Sequence, residues 1–259
     1  MTISSLTGAI TAQGGATRLD NAADWMQGRT LYGGASALLA YTAAIKAFDG
    51  LPPLRAAQVG FVGPVGDSFE IRREIVRQGR NVTQVRSEIL GESGVLLTAL
   101  WLFGETREAN ALRPADPVTP VPDPPEAQDS AMHEAGPAFI ARNFEIRRAA
   151  EPGADGKPLV RRWARLTDAG ALDPVSQIIL VGDVLPPGAM RVMRRMGPIS
   201  SINWSFNLLS TAPETRDGWW LAEAVCQYAD DGYSSERLRL WNTDGQAMLD
   251  GMQSAAIFG

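Results

Sequence analysis

Two stretches decide the fold. One reads Arg77-Gln-Gly79-Arg-Asn-Val-Thr-Gln-Val-Arg86-Ser-Glu-Ile-Leu-Gly-Glu-Ser-Gly94 and runs into the apolar segment Val95–Phe103. The other reads Asp231-Gly232-Tyr-Ser-Ser-Glu-Arg-Leu-Arg239-Leu-Trp-Asn-Thr-Asp-Gly245 and leads into a mostly apolar run ending at Phe258. Gly79 and Gly232 are 153 positions apart, and so are Arg86 and Arg239. Solenoid repeats recur every 20–50 residues or so, and this period is far longer. It points to two copies of one small domain in tandem, a form that places a site at the junction and lets the copies diverge.

The segments around the repeat agree. Gly33-Gly34 opens an Ala/Leu-rich stretch to Phe48 with Lys46 as its one charge, which predicts a helix buried on most sides. Asp49-Gly50-Leu-Pro-Pro ends it. Strands are predicted over 56–62, 68–77, 81–90 and 95–103, with Gly91–Gly94 as a hairpin turn. Further on, strands are predicted over 139–147, 161–166, 200–209, 219–228, 236–241 and 247–258. Asp173-Pro174 is an N-cap followed by proline at the first helical position, giving a helix from Pro174 to about Val184, stopped by Pro186-Pro187. The stretch 113–137 holds seven prolines and reads as an extended linker. The organisation is an N-terminal half over 1–112, the linker over 113–137, and a C-terminal half over 138–259. Each half is one helix and an antiparallel sheet, an α+β arrangement of two sheets each wrapped around a central helix.

Composition narrows the chemistry. A net charge of −5 argues against a general nucleic-acid surface, though a local basic patch for a phosphorylated ligand stays open. Arginine outnumbers lysine 22 to two; phosphate recognition and a codon bias both account for that. The single cysteine, Cys226, fits a reducing cytoplasm, and no signal peptide or apolar run of spanning length is present. The one histidine, His133, lies in the Pro-rich linker, so Ser-His-Asp, Cys-His and histidine–metal sites are poorly supported. No Gly-rich phosphate loop follows a strand.

What remains is carboxylates, hydroxyls and amides. Asp183 sits at the end of the apolar segment Gln177–Leu185, where burial and the helix dipole both raise a carboxyl pKa. It is a base held in an apolar wall, or a solvent-facing residue where the helix frays. Ser200-Ser-Ile-Asn203-Trp-Ser205 alternates along a strand; it lines a site, or it is ordinary strand polarity. Gln253 lies in an interior-type strand, and its amide needs a partner, a bound water or a backbone group.

These three places resemble the acyl-CoA thioesterase II family, whose members have a double hotdog fold. The likeness covers nearly the whole chain, including Gly28–Ala37, Phe61-Val-Gly-Pro64, Glu74–Val82 and Gly245–Gln253. It implies that Asp183, Ser201 (or its neighbour Ser200) and Gln253 hold and activate a water, with no cofactor and no metal. The backbone at Gly34 is a weak oxyanion candidate, and Trp204, Phe206, Trp219 and Trp220 are available to line an acyl channel. Where the family has an Asp-His pair, this chain has Asn203-Trp204. The resemblance thus implies a hydrolase of acyl-CoA, and the lone cysteine leads us to expect it in the cytoplasm. The alternatives are a binding protein that lost turnover and, lower, a hotdog hydratase. A homodimer or higher homo-oligomer is expected, which a solution mass of 27.8 kDa would contradict.

Overall fold

The computed structural model describes residues 1–12, 15–119, 122–130, 136–151, 158–170 and 172–258. His133 falls outside these. Helix α1 (Ile3–Ala9) and strand β1 (Ala16–Leu19) lead into a small hairpin, β2 (Met26–Gln27) and β3 (Thr30–Leu31). Helix α2 (Gly33–Ala47) follows, then β4 (Leu54–Phe61), β5 (Phe69–Gln78), β6 (Val82–Gly91) and β7 (Gly94–Gly104). The C-terminal half holds α3 (Ala138–Asn143), β8 (Phe144–Arg148), β9 (Leu159–Leu166) and α4 (Pro174–Val181). It ends with β10 (Ile199–Leu208), β11 (Trp220–Asp230), β12 (Tyr233–Trp241) and β13 (Ala247–Ile257).

The repeat is kept in the last strand of each half and in its paired arginine. β7 spans 94–104 and β13 spans 247–257, the same 153-residue offset. Across the preceding hairpins, Glu74 lies opposite Arg86 and Glu223 opposite Arg239, so the repeated arginine meets a cross-strand glutamate in both halves.

One expectation is corrected. Among the described residues the large strands form not two sheets but one, eleven strands in the order β1-β5-β6-β7-β4-β10-β13-β12-β11-β9-β8. The two halves meet where β4 pairs antiparallel with β10, Gly60 opposite Asn203 through Ala56 opposite Asn207. Ala57, Val59, Trp204 and Phe206 bury their side chains at this seam. Joining the edges satisfies a row of backbone groups that two separate sheets would leave open.

α2 is buried along nearly its whole length from Gly34 to Ala44 and packs on β5, β6 and β7. Its small residues let it lie close to the sheet, and its first turn crosses the last turn of α4. Asp173 caps α4 by accepting from the Val175 and Ser176 N–H groups, as the Asp-Pro pair predicts. The predicted strand over 139–147 is instead helix α3 followed by β8. Pro137 presets its entry, and Phe139 and Ile140 are both buried. Two adjacent buried residues suit a short helix wedged into a core better than a strand with alternating faces.

The Pro-rich stretch is tied down. The Trp163 indole N–H donates to the Pro122 carbonyl at 2.9 Å, an Arg147 Nη1 to the Pro124 carbonyl at 2.7 Å, and Val118 N–H to the Gly245 carbonyl at 2.9 Å. Ala127 closes over a second apolar cluster of Trp163, Trp219, Leu221 and Trp241. Gln128–Ser130 then pair with the open side of β8, through Ser130 N–H to the Ile146 carbonyl and Arg148 N–H to the Gln128 carbonyl.

Beneath it lies a charged layer. Glu223, with no exposed side-chain surface, is gripped by Arg161 (Nε to Oε2, 2.8 Å) and Arg239 (Nε to Oε1, 3.1 Å). Both guanidiniums lie over the Trp241 ring, at 5.5 and 4.9 Å.

Candidate active site

A cavity of about 840 Å³ opens where the start of α2, the end of α4, β10 and β13 converge. Asp183, Ser200, Ser201, Gln253 and Gly33 all line it, so the structure brings together the acid, both serines and the amide singled out in the sequence.

Asp183 does not lie in the helix. α4 ends at Val181; Gly182 closes the last turn onto the Ile178 carbonyl at 2.8 Å, and Val184 N–H tightens onto Val181 at 3.0 Å. Asp183 is therefore turned off the helix end and is half-buried. Gln253, on the inward face of β13, donates from Nε2 to Asp183 Oδ1 at 2.7 Å. Burial pushes the Asp183 carboxyl up to about 7, against the opposing pull of hydrogen bonds from Gln253 and the Gly34 backbone N–H. A carboxyl poised there accepts a proton from water near neutral pH.

Gly33 and Gly34 act by having no side chains. A Cβ on Gly33 would collide with Asp183 Oδ2, and one on Gly34 would collide with the Leu180 carbonyl. The Gly34 N–H, at the positive end of α2, faces the Asp183 carboxylate and helps hold it.

Tyr32, the N-cap residue of α2, escaped the sequence reading. Its hydroxyl donates to the Leu180 carbonyl at 2.6 Å, capping the last turn of α4, and its ring stacks on Phe139 at 4.7 Å. Burial, then the nearby Asp183 charge, hold its hydroxyl protonated well above its usual range. The available signal was its place between an apolar residue and the Gly-Gly pair.

A β-bulge sets the serine. Ser201 pairs with Ala255 and Trp204 with Gln253, while the register shifts between Ser201 and Asn203, leaving Ile202 as the extra residue. The shift puts Ser201 and Trp204 on one face, which simple alternation forbids. Asn203 Oδ1 accepts from Ser254 N–H at 3.0 Å and pins the bulge. Trp204 is fully buried, against Phe206 at 4.4 Å and against Gly182, where a Cβ would come within 2.7 Å of the ring. The Asn-Trp pair thus holds the strand and roofs the turn before Asp183.

The four aromatic residues expected along an acyl channel do not line the cavity. Trp204, Phe206 and Trp220 belong to the main core and Trp219 to the cluster under the Pro-rich segment. The apolar wall comes instead from Phe61, Val65, Phe139, Ile140, Leu185 and Met190, drawn from the end of β4, loops and the short α3.

The fold is that of solved hotdog-fold proteins. A conserved protein with a hotdog fold from Alicyclobacillus acidocaldarius superposes with a TM-score of 0.86 at 20% identity, over 99% of this chain and 98% of that one. An acyl-CoA thioesterase II from Mycobacterium marinum superposes at 0.74 with 16% identity, over 98% and 97%. A polyketide-synthase dehydratase domain from Brevibacillus brevis is more distant, at 0.53 with 12% identity over 94% and 93%. Residues 21–104 match the acyl-CoA thioesterase N-terminal domain and residues 115–257 the acyl-CoA thioesterase C-terminal domain. The chain belongs to the acyl-CoA thioesterase family and is a thioester hydrolase. No curated protein sequence matches it. Among the described residues no helix is long and apolar enough to cross a membrane.

Proposed function

We propose that this chain hydrolyses acyl-CoA thioesters with a water activated by Asp183, on two fused hotdog halves of which the C-terminal one carries the chemistry. The observation that carries the reading is the Asp183–Gln253 hydrogen bond on the wall of an apolar cavity. Asp183 takes a proton from water, and Ser201 and Gln253 orient that water toward the thioester carbonyl. The addition places negative charge on the carbonyl oxygen, and the free N–H groups opening α2 are the nearby donors for it. Collapse of the adduct expels the CoA thiolate, and the Asp183 proton returns to the departing sulfur. Gly33, which lines the cavity, is better placed for the oxyanion than Gly34, whose N–H is engaged by Asp183.

The base works only when deprotonated, which sets the sign of the pH dependence. With the carboxyl at about 7, kcat/KM rises with pH and bends near that value. Thiol release from short, medium and long acyl-CoAs, followed between about pH 5 and 9, tests the assignment. A profile flat through neutrality would remove Asp183 as the base. Acyl-CoA that binds without any release of thiol would mean a carrier rather than a hydrolase.

A further inference from the structure

The cavity is electrically lopsided. Among its described lining residues, Asp183 is the one acid and Arg29 the one base. Arg29 sits at the exposed tip of the β2–β3 hairpin, beside Gly28 in the left-handed region (φ 66°). Two other lining residues, Met190 and Gly197, flank a short segment that carries Arg194 and Arg195, both exposed. None of these three arginines has a carboxylate within 4 Å among the described residues, whereas the neighbouring Arg191 is paired with Glu151 at 2.6 Å. Elsewhere most arginines are neutralised, as in Arg86 with Glu74 or Arg237 with Asp250, and the exposed Arg77, Arg80 and Arg107, which have no carboxylate within 4 Å among the described residues, do not line the cavity.

We infer that Arg29, Arg194 and Arg195 form a phosphate-binding rim that holds the nucleotide end of the CoA handle while the acyl and pantetheine parts occupy the cavity. This rests on the thioesterase reading and extends it to the part of the substrate that the water-activating residues do not touch. Two physical arguments support it. A space of about 840 Å³ suits one drug-sized ligand, so the bulky phosphorylated end must lie outside the mouth. The substrate handle is strongly anionic and the protein carries −5, so bulk electrostatics oppose the encounter unless cations are left unpaired at the entrance. Guanidinium forks match phosphate oxygens in geometry and keep their charge at every working pH.

The test compares two substrates with the same acyl group, one on CoA and one on N-acetylcysteamine, which has the thioester but no phosphate. In Arg29→Gln and in Arg194→Gln/Arg195→Gln, KM for the CoA ester is expected to rise about tenfold with kcat unchanged. KM for the cysteamine ester stays where it is. In the wild type, added salt raises KM for the CoA ester only. Equal KM changes for both esters, or none for either, would overturn the rim. Binding of free CoA, measured by calorimetry on the same variants, separates the two ideas. Loss of CoA affinity in the variants of a chain that releases no thiol would leave the rim standing and sink the hydrolase mechanism. Full turnover with unchanged CoA affinity would do the reverse.

Discussion

Replacing Asp183 with Asn is expected to lower kcat/KM by about 10²–10⁴-fold and, at the same time, to make the protein more stable above neutral pH. The first effect is loss of the base. The second follows from the raised carboxyl. Below about pH 4 the group is protonated whether the chain is folded or not, and it contributes nothing. As the pH climbs from there to about 7, the unfolded chain ionises first, so the folded state loses ground. Above 7 the penalty is complete. A rise from 3.8 to about 7 corresponds to at most about 4 kcal/mol. Asparagine keeps the acceptor for Gln253 but turns an amide toward the Gly34 N–H, so a gain of about 1–3 kcal/mol is expected. Urea melts of both proteins at pH 5 and pH 8 give the answer. A stability difference that fails to grow with pH would show that Asp183 is well solvated, and would take the base assignment with it.

The second large effect lies in the charged layer. Glu223→Ala is expected to cost about 3–5 kcal/mol, because it leaves Arg161, whose side chain is 8% exposed, without a counter-charge. The repeat supplies an internal control. Arg86, the repeat of Arg239, faces Glu74 across the strands of the N-terminal half, with side chains 49% and 56% exposed. Glu74→Ala should change stability by about 1 kcal/mol or less. Turnover should be unaffected in both, since neither glutamate lines the cavity. Similar losses in the two variants would mean that the Glu223 site readily admits water.

The parts of the fold that the sequence made legible are those with a period or a cap. The strands expected over 95–103 and 247–258 are found within one residue at each end as β7 and β13, and Asp173-Pro174 marks the start of α4. Asp183 stood out because a charge at the end of an apolar helix needs a reason. Ser201 was reachable only through family likeness: the bulge that turns it inward depends on an Asn203 contact with the next strand, and no local pattern encodes that. The β4–β10 seam left no trace for a similar reason. Its strands alternate like any others, and which edges meet is decided by how two halves dock. The cavity walls were not legible because large aromatic residues fill the interior of the sheet, while the wall is made by loops, the end of β4 and α3, which resembles a strand in composition.

The seam also governs how the molecule meets its neighbours. Among the described residues the eleven-stranded open sheet ends in two border strands, and here one is short and the other covered. One is β1, four residues long. The other, β8, is already occupied by Gln128–Ser130. Had the halves stayed apart, β4 and β10 would each have offered a long adhesive border, and crowded copies could have zipped together along it. Fusion turned that hazard inward. Each half supplies the strand partner that the other half's edge would otherwise find only in a second copy.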